Sequence, residues 1–142
     1  MTVDTSKPIC SRALSGAVLA YLGDAVFEVC VREFLIFCGI HDIGQLNRLA
    51  VSFVKASAQS DAVESILGIL DEDELSVFKR GRNSSGISAP KSASSVQYRR
   101  ATGFEALVAY LYLDKKEDRI KELFSIAYKN RIDEILSEQG GF

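Results

Sequence analysis

The chain has no tryptophan, two prolines, one methionine and one histidine in 142 residues. A single histidine, His41, excludes a histidine-rich metal site. It also argues against Ser-His or Cys-His nucleophilic catalysis unless His41 itself serves, and His41 falls in the turn His41-Asp42-Ile43-Gly44. Strand-like alternation is missing, and with so little proline this favours an all-α fold. The three cysteines, Cys10, Cys30 and Cys38, show no metal-ligand pairing. Eight residues on one helix separate Cys30 from Cys38 by about 12 Å of rise, too far for a disulfide. Free buried thiols in a reducing cytoplasm are the expectation. No signal or transit peptide is visible in the short, polar first twelve residues. Net charge is −2 and the pI about 5.5, so the overall balance does not announce a nucleic-acid binder.

What is present is dominated by Ala13 to Cys38, ALSGAVLAYLGDAVFEVCVREFLIFC. It is too long for a buried strand and free of proline, which predicts a helix. Ser11 is the expected N-cap and Gly39 the expected C′ residue. Before Glu33 its only ionisable residues are Asp24, Glu28 and Arg32, at i, i+4 and i+8, one polar stripe on an apolar cylinder. Such a helix must be covered on most sides, as a central helix, a membrane span or a subunit interface. The run from Ala13 to Gly23 is short for a span.

The remaining pattern predicts helices over 45–70, with a break near Ser57 to Ser60, from Asp71 to Arg82, from Val96 to about Leu113, and from Glu117 to about Ser137. Asp42 is a candidate N-cap, and Asp71 and Glu74 have capping-box spacing. Asn83 to Ser95 reads as a loop by composition. At this length the chain is expected to be one domain, 1–142, with a core from about 11 to 138.

Charge is unevenly placed. Between Leu75 and Phe104 lie Lys79, Arg80, Arg82, Lys91, Arg99 and Arg100 and no acidic residue, on a chain that is otherwise net −8. Basic residues flanking a loop fit a grip on a phosphate backbone; the alternative is solvated loop charge.

Two predicted helices carry a carboxylate inside an apolar run beside glycine: Gly23-Asp24-Ala25 and Gly103-Phe104-Glu105-Ala106. Small residues Ala20, Gly23, Ala101, Gly103 and Ala109 would let the helices cross closely. Buried acids are costly unless paired or metal-bound. Brought together, the two would repel, and a divalent cation would relieve the repulsion. Oxygen-only ligation suits Mg²⁺. The competing reading pairs Asp24 with Arg32 or Arg12, and Glu105 with Arg99 or Arg100.

At these residues a resemblance emerges. Tyr21-Leu22-Gly23-Asp24-Ala25-Val26 resembles the signature helix of the ribonuclease III catalytic domain, F-L-G-D-A-V. Phe104-Glu105-Ala106-Leu107 followed by Ala109-Tyr110-Leu111-Tyr112 resembles that family's second acidic helix. With Arg80-Gly81-Arg82-Asn83 and Pro90-Lys91, the match is close to the Mini branch, which lacks a double-stranded-RNA-binding domain. It spans roughly 13 to 128. The resemblance implies an all-α, ribonuclease III-like dimeric fold, with Asp24 and Glu105 as catalytic metal ligands for Mg²⁺, for which Mn²⁺ can substitute. It implies signature helices meeting across a two-fold axis, with Leu22 and Val26 at the interface. Full-length enzymes have acids at two further positions, filled here by Ala20 and Thr102, as in the Mini branch. Glu28 is given a structural role with Arg32.

The function implied is Mg²⁺-dependent endonucleolytic cleavage of double-stranded RNA, leaving 5′-phosphate and 3′-hydroxyl ends. The branch's usual substrate is the 23S ribosomal RNA precursor, sometimes with a large-subunit ribosomal protein as helper, in the cytoplasm and away from membranes. Lys79, Arg80, Arg82, Asn83, Lys91, Arg99 and Arg100 are the expected RNA contacts. One rival is a catalytically silent RNA-binding helical dimer acting in ribosome assembly, for which Ala20 and Thr102 are the best support. Another is an all-α nucleotide pyrophosphohydrolase, which needs E-x-x-E clusters that this chain does not place in an apolar setting.

Overall fold

The structure is a computed structural model that describes residues 2–84 and 95–139. Its described residues are helical, with no strand: α1 (Gly16–Phe37), α2 (Ile43–Val54), α3 (Ala56–Ile66), α4 (Glu72–Arg82), α5 (Ser95–Leu113), α6 (Glu117–Ala127) and α7 (Lys129–Glu138). Helix α5 is the hub, packing most extensively on α1, then on α4 and α3. Its residues Ala101 to Leu111 are buried at every position but Glu105, so it is covered nearly all round. No described helix is long and apolar enough to cross a membrane.

The ends of α1 follow local chemistry. Ser15, not Ser11, is its N-cap, accepting from the Val18 amide at 3.2 Å. Ser11 instead lies buried in a short 3₁₀ turn, Ser11–Ala13, so α1 starts three residues later than Ala13. At the far end Gly39 takes φ +87°, as a C′ residue does. The Gly39 and Ile40 amides close back onto the Ile36 and Leu35 carbonyls at 2.9 and 3.3 Å, a complete Schellman closure. Asp42 caps α2 through the Gln45 amide at 2.8 Å, and Asp71 and Glu74 form the reciprocal capping box of α4.

Two breaks differ from the sequence reading. The chain turns at Lys55 (ψ 150°), between α2 and α3, two residues before the expected break. The last predicted helix is two, parted at Tyr128, whose φ −115° leaves the helical region. Tyr128 is buried, and its hydroxyl donates to the Phe53 carbonyl at 2.8 Å. That distant bond and the ring contacts of Tyr128 with Phe27, Phe53 and Phe124 outweigh helical continuity.

Buried apolar residues from α1 to α7 form one connected cluster. A buried ion pair braces its edge: Arg119 on α6 donates to both oxygens of Glu74 at 2.8 Å and to the Ile69 carbonyl at 2.9 Å. The expected pairing of Glu28 with Arg32 is present at 3.1 Å.

Candidate active site

Helices α1 and α5 touch main chain to main chain at Gly23. A Cβ there would fall on the Glu105 carbonyl. Glycine is therefore required at this crossing for space, and the close approach sets Asp24 and Glu105 face to face. Gly103 serves a different contact from the one expected: a Cβ there would meet the Phe78 backbone and ring on α4. Gly81 on α4 packs in turn on Gly103 and Ala106.

The two acids differ in environment. Asp24 is exposed in the single chain, against the expectation of a buried residue, and Glu105 is half-buried. The Glu105 carboxyl is pushed up to about 8, first by burial, then by the charge of Asp24 and a hydrogen bond with it. The Gln59 side chain acts in the opposite sense. Among the described residues no basic side chain pairs with either acid. Arg12 pairs with Asp73 at 3.4 Å, Arg32 with Glu28, and Arg100 with Glu64. None of the ion pairs among the described residues includes Asp24 or Glu105, so the arginine pairing considered from sequence is not formed.

The donor set fits a hard divalent cation. It offers carboxylate oxygens without sulfur or imidazole, held in mutual repulsion, and the buried Gln59 beside them has an amide Nε2 with no well-formed hydrogen bond. Among the described residues no three His, Cys, Asp or Glu side chains gather as a metal cage. Thr102 adds no ligand: it is buried, and its Oγ1 donates to the Tyr98 carbonyl at 2.9 Å. Ala20 is buried as well.

The basic residues divide. Arg80 donates to the Arg12 carbonyl at 3.1 Å and reaches the Ser11 carbonyl at 3.5 Å, anchoring the 3₁₀ turn. Arg100 is held by Glu64. Lys79, Asn83 and Arg99 are exposed. Arg82 lies over the Phe78 ring, 5.7 Å from its centroid, and donates to Asn83 Oδ1 at 3.2 Å. Arg82 and Arg99 line one small polar pocket with Ser84, Ser95 and Tyr98, where α4 ends and α5 begins. Lys91, and most of the expected loop Asn83–Ser95, lie outside the described residues.

Leu22 and Val26 are half-buried and line an apolar groove of about 830 Å³ with Val29, Phe37, Tyr112 and Phe124. Gln59 is the residue that the sequence reading missed. Its signal was spacing: with Ala62, Val63 and Ile66 it makes the i, i+3, i+4, i+7 set that α3 buries.

Comparison with known proteins agrees with this architecture. The Ribonuclease III domain family matches residues 17–116. Mini-ribonuclease 3 of Brevibacillus brevis is 46% identical over 111 residues, covering 78% of this chain and 83% of that protein. Mini-ribonuclease 3 of Symbiobacterium thermophilum is 45% identical over 109 residues, covering 77% and 84%. A crystal structure of a Fusobacterium nucleatum protein superposes with a TM-score of 0.77 at 35% identity, covering 87% of this chain and 94% of that one. With its α1 signature and its second acid on α5, the chain belongs to the ribonuclease III family, in the Mini-ribonuclease 3 branch.

Proposed function

We propose that this chain is a Mg²⁺-dependent endoribonuclease that cuts double-stranded RNA, with Asp24 and Glu105 as its metal-holding catalytic residues. The observation that carries the reading is the carboxyl pair at the α1–α5 crossing, set against each other with no ion-pair partner among the described residues. Bound Mg²⁺, or Mn²⁺ in its place, would supply a Lewis acid and an acidified water at the scissile phosphate. The exposed Asp24 and the ionised form of Glu105 would hold the cation with their carboxylate oxygens. Lys79, Arg82, Asn83 and Arg99, and Lys91 between them in sequence, hold the phosphate backbone. Arg80 and Arg100 serve the fold first and reach RNA less freely. A-form RNA offers shape and 2′-hydroxyls, so selection rests on duplex geometry.

The groove bearing Leu22 and Val26 supports a homodimer, which would place two sites in one valley, one for each strand. The finer reading takes the 23S ribosomal RNA precursor as substrate in the cytoplasm, 5′-phosphate and 3′-hydroxyl product ends, and a large-subunit ribosomal protein as helper.

Asp24→Asn and Glu105→Gln are each expected to cut cleavage of a labelled RNA duplex at least 100-fold with folding intact, and chelator is expected to stop the parent. Cleavage surviving chelator, or full activity in Glu105→Gln, would refute the assignment. A parent that binds duplex yet never cuts it under Mg²⁺ or Mn²⁺ would favour the silent RNA-binding dimer, which Ala20 and Thr102 support. Hydrolysis of nucleoside triphosphates in place of RNA would favour the pyrophosphohydrolase.

A further inference from the structure

Gln59 is 1% exposed and among the most buried side chains of the molecule. It stands in the first turn of α3, a helix that packs on α5. Its Nε2 is enclosed and has no well-formed hydrogen bond. An amide kept dry without full partners costs stability, and leucine or methionine would fill the same space without that cost. A polar group held at such a cost beside two carboxyl groups calls for a role in their arrangement.

Its place supplies one. Helix α3 packs on α5, and the Gln59 side chain acts on the Glu105 carboxyl to offset part of the upward push from burial and Asp24. Three other polar side chains of this part of the fold have partners. The Tyr128 hydroxyl is bonded to Phe53, Thr102 to Tyr98, and Arg100 to Glu64. We propose that Gln59 is a positioning residue, whose buried Nε2–H, without a partner among the described residues of the metal-free chain, donates to the Glu105 carboxylate once Glu105 shares one divalent cation with Asp24. A glutamine suits this task in three ways. Its amide NH2 is a donor, so it complements an anion. It is neutral, so it adds no third like charge to the pair. Its amide is planar, so one donor can be aimed while the stem is gripped by the α3–α5 contact. Residues that orient a metal ligand typically shift affinity 10- to 100-fold when removed.

This inference rests on Asp24 and Glu105 being metal ligands, and the experiment separates the two. Mn²⁺ binding to the full chain, without RNA, is followed by electron paramagnetic resonance of the free ion. Gln59→Met removes the donor at nearly constant length, and Gln59→Leu is a second apolar replacement should the first fail to fold. Both are expected to weaken Mn²⁺ binding about 10-fold or more and to lower kcat on duplex RNA comparably. KM for RNA should stay within about twofold, and the melting temperature of the metal-free protein should hold or rise. Gln59→Asn, which keeps the amide on a shorter stem, is expected to recover part of the affinity. A folded Gln59→Met or Gln59→Leu chain that binds Mn²⁺ and cuts like the parent would overturn the role of Gln59 alone. A parent that binds no Mn²⁺ would overturn this inference together with the metal assignment beneath it.

Discussion

Glu105 is a burden to the metal-free fold. Its carboxyl titrates at about 8 rather than 4.5, so between those values the folded chain keeps a proton that the unfolded chain has already lost. Stability must therefore fall as pH rises through that window and level off above it. Glu74 has the opposite sign. The hydrogen bond from Arg119, opposed by burial, holds its carboxyl below the usual range, so its contribution is present above about pH 4.5 and is lost on acidification through its lowered value. Chelator-treated protein is expected to lose about 3 kcal/mol between pH 5.5 and 8.5, read from denaturant midpoints, and Glu105→Gln should flatten the profile and be the more stable at pH 8.5. A parent profile that stays level, or a variant with the same slope, would remove the repulsion from the account. Asp24 and Glu105 stood out in the sequence because each is a lone acid in an apolar run. Gln59 did not, because a neutral polar residue in Ala56-Ser57-Ala58-Gln59-Ser60 resembles a helix break, and its partner lies 46 positions along the chain.

At the scale of elements the close joint is α1 against α5. Gly23→Ala puts a methyl group where the Glu105 carbonyl stands, and backbone cannot rotate away as a side chain can. It should cost about 3 kcal/mol in unfolding experiments and also spread the acids, so Mn²⁺ affinity should fall even in the folded fraction. An alanine variant matching the parent in both would mean the crossing is looser than the backbone contact implies. The helices themselves were legible: apolar spacing, Asp42, the Asp71–Glu74 box and Gly39 are all local signals. The misread boundaries share a cause. Ser11 and Ser15 both look like caps, and only packing of the 3₁₀ turn, fastened by Arg80, chooses between them. Tyr128 sits in an unbroken helical pattern, and the bond that breaks it comes from Phe53, 75 residues away. Gly103 was assigned to the right kind of contact but the wrong partner, since glycine declares a close approach without saying to what.

For the molecule as a whole, the uncovered apolar surface of α1 is the outstanding fact. Tyr21, Phe37, Ile36, Val29 and Val18 are each more than half exposed in the single chain, and Leu22 and Val26 line the groove between α1, α6 and α7. The apolar girth of α1 in the sequence raised the same issue, and among the described residues the helices packed on it leave one side open. Val26→Asp is expected to turn the proposed dimer into monomers or aggregates, because it puts a charge into an apolar contact. Light scattering on the parent decides the matter first: a stable monomer at micromolar concentration would refute the interface.

The rings around Tyr128 carry a practical consequence. Phe27, Phe34, Phe53, Phe104, Phe124 and Tyr128 come from α1, α2, α5, α6 and the hinge before α7, with neighbouring centroids 5.0–6.4 Å apart. With no tryptophan in the chain, near-ultraviolet optical activity has to come from phenylalanine and tyrosine, and this knot of fixed rings is its natural source. Circular dichroism above about 250 nm thus watches the place where the helices meet, while the far-ultraviolet band counts the helices themselves. If the first fades before the second on heating or acidification, the joints have loosened while the rods persist.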